Sequence, residues 1–361
     1  MKRSSSCSGQ VWCYLETSLW SGILNKCHSN LAHCTDTCVL RLSTASTMPL
    51  TTKLTRALGI MHPIIQGGMH YVGYAPLVAA VSEAGGIGLV TALTQPSPEL
   101  LQAEIQAVKA ATTKPFGVNL TLLPALKPPN YAAYADVVEQ EMESGQLRLI
   151  ETAGHVKGLE PFIERFKKAG AVVIHKCTQI RHAKTAQRMG ADFISMDGFE
   201  CAGHPGEADV TNWILFAKAA RELDVPYVAS GGCADGKQLA AALALGCEGM
   251  NMGTRFMATV EAPIKQQVKQ ALVDADESGT TLVMRSVRNT ERVFKNETAQ
   301  QVLDIEREFP GDFSKVCSHL HRTYKRYAAY LALTVHCCVR ASLHTLSKAR
   351  TIARCFKRQE M

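Results

Sequence analysis

Paired C-x-x-C spacings with histidine partners are missing from this chain of 361 residues, and that absence argues against a structural zinc site. Also missing is any apolar run long enough to cross a bilayer. The longest near the end, residues 328–339, carries His336 inside it and falls short of the roughly 20 residues a spanning helix needs. No secretory apolar core is visible near the start, and the 13 cysteines are an odd number. Free thiols in a reducing compartment are therefore expected. Acidic residues are scarce in one place only. Residues 315–361 set ten Lys/Arg against Glu360 alone, a net +9, and residues 1–48 carry +2, which leaves −4 for the body out of a formal +7. The basicity belongs to a tail, so a nucleic-acid-binding body is not expected.

What is present reads as a globular chain. A hydrophobic share of 46% supports a sizeable core, and 20% charged residues do not describe disorder. From about residue 49 to 275 strand-like apolar runs alternate with Ala/Leu-rich stretches of helical spacing, such as Tyr74–Ala84, Gln179–Met189 and Asp235–Leu245. The runs are Pro63–Gly67, Gly86–Thr91, Phe116–Leu120, Leu147–Thr152, Ala171–Lys176, Phe193–Asp197, Pro226–Ser230 and Gly249–Gly253. Such alternation implies parallel strands joined by right-handed crossovers. Eight units over this length match a TIM (β/α)8 barrel better than an open sheet. The expected division is an N-terminal extension (1–48), a barrel with an associated helical segment (49–314) and a divergent basic tail (315–361). The loop at Pro128–Pro129 with the segment to Gly145 is a candidate lid.

Every predicted strand but the second ends on an unusual group, and barrel enzymes place their chemistry at strand C-termini. Gly67–Gly68–Met69, Asn119, Glu151–Thr152, His175–Lys176, Asp197, Ser230–Gly231–Gly232 and Gly253–Thr254–Arg255 all sit there. The loops after strands seven and eight suit a phosphate, because glycine lets backbone N–H groups approach while Ser230 and Thr254 add hydroxyls. Lys176 would bring a cation into the barrel mouth. His175, next to it, should point the opposite way and be structural, since side chains alternate along a strand. Asn119, buried in an apolar run, needs a partner, either a ligand or the backbone. Met69 offers a flexible apolar surface to a flat ring, or plain core filling.

The segment Asp197-Gly-Phe-Glu-Cys-Ala-Gly-His204-Pro-Gly-Glu207 puts a lone histidine among small residues on a strand-to-helix loop. A glycine turn with an incidental histidine would look the same, but an imidazole titrates near neutrality and can move a proton or hold an anion. His70, His155 and His182 are weaker candidates. Cys201, three residues before His204, is either a nucleophile or a small buried thiol.

Together, Gln66-Gly-Gly-Met69, Phe116-Gly-Val-Asn-Leu-Thr-Leu-Leu-Pro124, His175-Lys-Cys-Thr178, the His204 segment, Ser230-Gly-Gly232 and Asn251-Met-Gly-Thr-Arg-Phe256 resemble the nitronate monooxygenase (2-nitropropane dioxygenase-like) flavoproteins. The wording is most similar to the branch that includes bacterial NADH:quinone reductases. The resemblance covers about residues 49 to 310. It implies a TIM barrel with non-covalent FMN and no metal, FMN contacts at Gly68, Met69, Asn119, Lys176, Asp197, Ala202, Ser230, Gly232, Gly253 and Thr254, and His204 as the catalytic residue. From its placement, Lys176 is expected to stabilise negative charge on the reduced flavin. Two departures stand out: residues 1–47 precede the family's usual start, and the family's closing Trp-x-x-Gly-x-x-x-Gly-Leu-Ile segment is replaced by Arg/Cys-rich sequence after Val316.

The leading expectation is an FMN-dependent oxidoreductase that oxidises alkyl nitronates with O2 to a carbonyl compound and nitrite. NADH or NADPH reduction of quinones at the same site is the runner-up. A barrel that has lost flavin through its altered C-terminus and serves as a binding module is the alternative of another class. A nucleotide-processing barrel with Cys201 as nucleophile is a fourth. A cytoplasmic location is expected, or a mitochondrial one if residues 1–47 are a targeting segment.

Overall fold

The apolar runs become eight parallel strands closed into a barrel in sequential order. They are β1 (Ile64–Gln66), β2 (Ile87–Thr91), β3 (Phe116–Leu122), β4 (Leu147–Gly154), β5 (Val172–Cys177), β6 (Phe193–Asp197), β7 (Tyr227–Ser230) and β8 (Met250–Met252). The computed structural model describes residues 50–122, 129–154, 158–316 and 318–319. The N-terminal extension, nearly all of the basic tail, Pro128 and His155 lie outside them.

A short α1 (Lys53–Leu58) precedes β1, the helices α2 (Ala75–Glu83), α3 (Pro98–Ala111), α4 (Tyr131–Met142), α5 (Glu160–Lys168), α6 (Ile180–Arg188), α7 (Asn212–Glu222) and α8 (Gly236–Ala244) cover the barrel between successive strands, and the short α9 (Thr254–Met257) follows β8. Local chemistry sets their starts. The Asp235 side chain accepts from Gln238 N while the Gln238 side chain returns to the Asp235 backbone, a reciprocal cap that satisfies otherwise orphaned donors. The segment considered as a lid forms α4, whose Tyr134, Ala135, Val138 and Met142 are buried. From Tyr131 onward it is an ordinary barrel helix, because its apolar face packs on the barrel as in the other crossovers.

Two apolar layers result. Inside the barrel, Ile65, Ile87, Leu89, Leu149, Ile174, Phe193 and Val228 pack with Leu54 and Leu58 of α1, which closes the N-terminal end. Outside it, alternate strand residues such as Val90, Val118, Ile150, Val173 and Ile194 pack with the helices. Both strand faces are buried, so the strands read as continuous apolar runs.

After α9 the chain adds α10 (Gln266–Asp274), then an antiparallel pair β9 (Thr280–Val283) and β10 (Glu291–Phe294), then α11 (Glu297–Glu308). The sequence pattern had offered only a helical segment here. The pair has its own small core of Val283, Met284, Ala299, Val302, Phe313 and Val316. Among the described residues, no helix is long and apolar enough to cross a membrane.

Candidate active site at the C-terminal mouth of the barrel

Strand register places the polar groups side by side at one end. Asn119 pairs with Glu151 across β3 and β4. Asp197 pairs with Ser230 and Ser230 with Asn251 across β6, β7 and β8.

Glu151 is the hub. Its side chain is fully buried, and a buried carboxylate persists only where donors replace its water. Oε1 accepts from Gly68 N at 3.0 Å and Asn119 Nδ2 at 2.8 Å. Oε2 accepts from Asn251 Nδ2 at 2.5 Å and lies 3.9 Å from Lys176 Nζ. Lys176 makes a closer ion pair with Asp197, 3.2 Å away. Burial works against the lysine's charge, but Asp197 and then Glu151 outweigh it and hold the ammonium above the usual lysine range. Asp197 also accepts from Ser195 Oγ at 3.0 Å.

Within the protein, Asn119 is held by two side chains and not by the backbone. Its amide donates to Glu151, and its oxygen accepts from Thr121 Oγ1 at 3.1 Å. His175 faces away from the mouth, as alternation requires, with Nδ1 2.9 Å from Thr152 Oγ1. Burial pushes its pKa down to about 4, only partly offset by Glu151, so it is neutral near pH 7.

The glycine edges explain themselves sterically. A Cβ at Gly67 would fall on the Asn251 side chain and one at Gly68 on Asn119, so only glycine lets β1 lie against the amides that serve Glu151. Met69 is half-buried beside Val72 and Leu77 and exchanges hydrogen bonds with Thr91 Oγ1 at 2.9 and 3.0 Å. Gly231 and Gly232 have φ of +87° and +63°, left-handed values that favour glycine. Their carbonyls are held by Asn212 and Gln238 side chains respectively. Arg255 Nε donates to Ala234 O at 3.0 Å and links the loop carrying Gly253 and Thr254 to that carrying Ser230 and Gly232.

The loop after β6 brings Ala202, exposed, and His204, half-buried, to the rim. His204 Nε2 lies 3.0 Å from Glu291 Oε1 on β10, and Glu291 is only 2% exposed. Burial alone would lower the imidazole pKa. Glu291, with help from Glu207 and Asn289, reverses that and raises it. The neighbouring Cys201 thiol is buried and pushed up to about 12, by burial first and Asp197 second. It stays protonated at neutral pH, so the nucleophile reading loses its chemical basis. His70 contacts Thr94 Oγ1 at 3.2 Å through Nδ1.

Three site groups escaped the sequence reading as participants. Glu151 and Asn251 were visible at strand ends, yet only the register shows that they share hydrogen bonds. Glu291 had no signal, because it arrives from a hairpin 87 residues further along the chain from His204. Among the described residues no group of three or more His, Cys, Asp and Glu side chains is arranged to hold a metal.

A closed parallel barrel with a charged, amide-lined C-terminal mouth and an accessory lobe over one rim defines a barrel enzyme for a small molecule. The nitronate monooxygenase family profile matches residues 51–332, and the chain belongs to that family of oxidoreductases. A (3aS,4S,5R,7aS)-5-hydroxy-7a-methyl-1-oxo-octahydro-1H-indene-4-carboxyl-CoA dehydrogenase of Mycobacterium tuberculosis is 36% identical over 256 residues, 71% of this chain and 69% of that protein. A probable nitronate monooxygenase of Staphylococcus haemolyticus is 29% identical, over 72% and 82% of the two chains. Among solved structures, FabK from Thermotoga maritima superposes with a TM-score of 0.67 at 31% identity, over 77% of this chain and 84% of that one.

Proposed function

We propose that this protein is an FMN-dependent oxidoreductase that oxidises alkyl nitronates with O2 to a carbonyl compound and nitrite. The observation that carries the reading is His204, an imidazole at the rim of the mouth whose pKa is raised by a buried carboxylate. A raised pKa favours the imidazolium near neutral pH, and an imidazolium can hold a nitronate anion. Atoms balance when two nitronate anions and one O2 give two carbonyl molecules and two nitrite ions.

The donor set suits FMN. Ser230, Gly232, Gly253 and Thr254 offer hydroxyls and glycine backbone for a phosphate on two loops already tied together by Arg255. Gly68, Met69, Asn119, Lys176, Asp197 and Ala202 surround the remainder of the mouth and would line the ring and its side chain. Bound FMN would supply the electron-acceptor chemistry that no side chain here offers. The residues would then do three things: Lys176 keeps a positive charge beside the ring site, the Glu151 network fixes Asn119 and Gly68, and His204 binds the substrate anion and handles its proton.

A second reading has its own support. The 36% identical relative of Mycobacterium tuberculosis is named as a carboxyl-CoA dehydrogenase, which makes dehydrogenation of an acyl-CoA the competing reaction class. Reduction of quinones by NADH or NADPH at the same site is the third.

The visible spectrum of the purified full-length chain, recorded anaerobically, tests these together. Flavin bands that bleach with an alkyl nitronate but persist with NADH and with an acyl-CoA support the nitronate reading. Bleaching by acyl-CoA alone or by NADH alone transfers the assignment to that substrate, and a folded chain without flavin bands overturns all three. With nitronate, His204→Asn should lower turnover at least about tenfold, as for other acid–base groups. An unchanged rate removes His204 from the mechanism.

A further inference from the structure

The loop after β6 is gripped by three consecutive residues of the accessory hairpin. Thr290 donates its backbone N–H and its hydroxyl to the two oxygens of Glu207, at 2.8 and 2.7 Å. Arg292 exchanges both backbone hydrogen bonds with Gly203, at 3.1 and 2.7 Å. Its guanidinium donates to Phe199 O at 3.3 and 2.9 Å and lies 4.8 Å from the Phe199 ring centroid. Between them, Glu291 faces His204. Further out, Arg285 pairs with Asp209 through two contacts of 3.2 and 2.6 Å. The hairpin stands on its own apolar core, so it is a firm support and not a loose flap.

We propose that Glu291 is the positioning residue for His204, orienting the imidazole through Nε2 and fixing its protonation state, and that the β9–β10 hairpin exists to deliver it. The geometry leaves the carboxylate little choice. It is buried, it belongs to a strand whose two flanking residues are fastened to the same loop, and the imidazole is 3.0 Å away. The groups that face His204 are Glu291 from β10, Asn289 just before β10 and Glu207 from its own loop. Two carboxylates and a neutral amide surround it, a set that favours the imidazolium. In this arrangement Nε2 faces the Glu291 carboxylate, and Asn289 makes a further side-chain contact with the ring. The use of the imidazole in turnover rests on the oxidoreductase reading; the pairing with Glu291 does not.

The test is a titration of the His204 imidazole by NMR in the full chain labelled on histidine nitrogen, with His204→Asn identifying the resonance. Wild-type His204 should titrate above the free-imidazole value of about 6.5, and Glu291→Gln should lower that midpoint by about one pH unit or more. Glu291→Asp, which keeps the charge, should recover at least part of the shift. A midpoint that Glu291→Gln leaves unchanged in a folded chain overturns the proposal. If Glu291→Gln does not fold, the wild-type midpoint decides: above the free value it supports the pairing, at or below it the pairing is wrong. None of these readings needs substrate or cofactor. A raised, Glu291-dependent midpoint in a chain that turns over no nitronate would retire the proposed function and leave the positioning role standing.

Discussion

At the residue scale, the feature with the largest consequence is Glu151. Three hydrogen-bond donors and one ammonium converge on a carboxylate that has no access to water. Removing it strands the buried Asn119 amide and the half-buried Gly68 N–H, and leaves the Asn251 amide only Ser195 Oγ at 3.3 Å. Each unsatisfied buried donor costs about 1–3 kcal/mol, so Glu151→Ala should destabilise the chain by about 3 kcal/mol even though no apolar contact is central to it. Urea unfolding would measure the difference, and a loss below about 1 kcal/mol would mean the amides find other partners. Sequence reasoning came close here. It picked out Asn119, Lys176 and Asp197 because polar groups in apolar strands demand an explanation. It left their protein partners open, since which side chain Asn119 meets depends on register, which spacing along one strand does not contain.

The element scale separates what was legible from what was not. The eight barrel strands were readable because burial on both faces writes an apolar run into each, and glycine or polar residues mark where each run ends. The hairpin was opaque. β9 and β10 are four residues each and mostly half-buried, with Thr280 exposed, and such strands show neither a run nor a clean alternation. Yet this pair holds the histidine loop. Truncating Arg292 to alanine removes two hydrogen bonds to Phe199 O and the cation–π contact while leaving the backbone bridge to Gly203. A loss of about 1–2 kcal/mol is expected for contacts of this kind. Exchange of the Gly203 amide should accordingly speed up about tenfold, with β3 and β4 amides unaffected. Equal acceleration in both places would point to global loosening instead of a local clasp.

On the scale of the whole molecule, the charge distribution and the titrating groups bear on stability together. His175 sits buried and neutral with its pKa near 4, below the unfolded value of about 6.5. The folded chain therefore binds fewer protons than the unfolded one between these values. The stabilisation is fully present above pH 6.5 or so and is lost as pH falls toward 4, up to about 3 kcal/mol in all. His204 runs the other way, since its raised pKa gives a contribution that is present below the unfolded value and fades as pH rises through the folded one. Urea midpoints should thus drop as pH falls from 6.5 to 4, and His175→Asn should flatten that slope. A slope unchanged by the substitution would assign acid sensitivity to other groups.

The barrel is also uneven around its circumference. Seven residue pairs join β3 to β4, but β1 meets β2 through two, β8 through three, and β7 meets β8 through two. Like a cask, it is held tightly on one side and closed by thin staves on the other. Gly67–Gly68 leads away from one of those staves and Gly253–Thr254 from its neighbour, so a molecule seated between them would act as a hoop. Binding there would add contacts across the seam with the fewest strand pairings, so its loss would loosen that seam before the β3–β4 side.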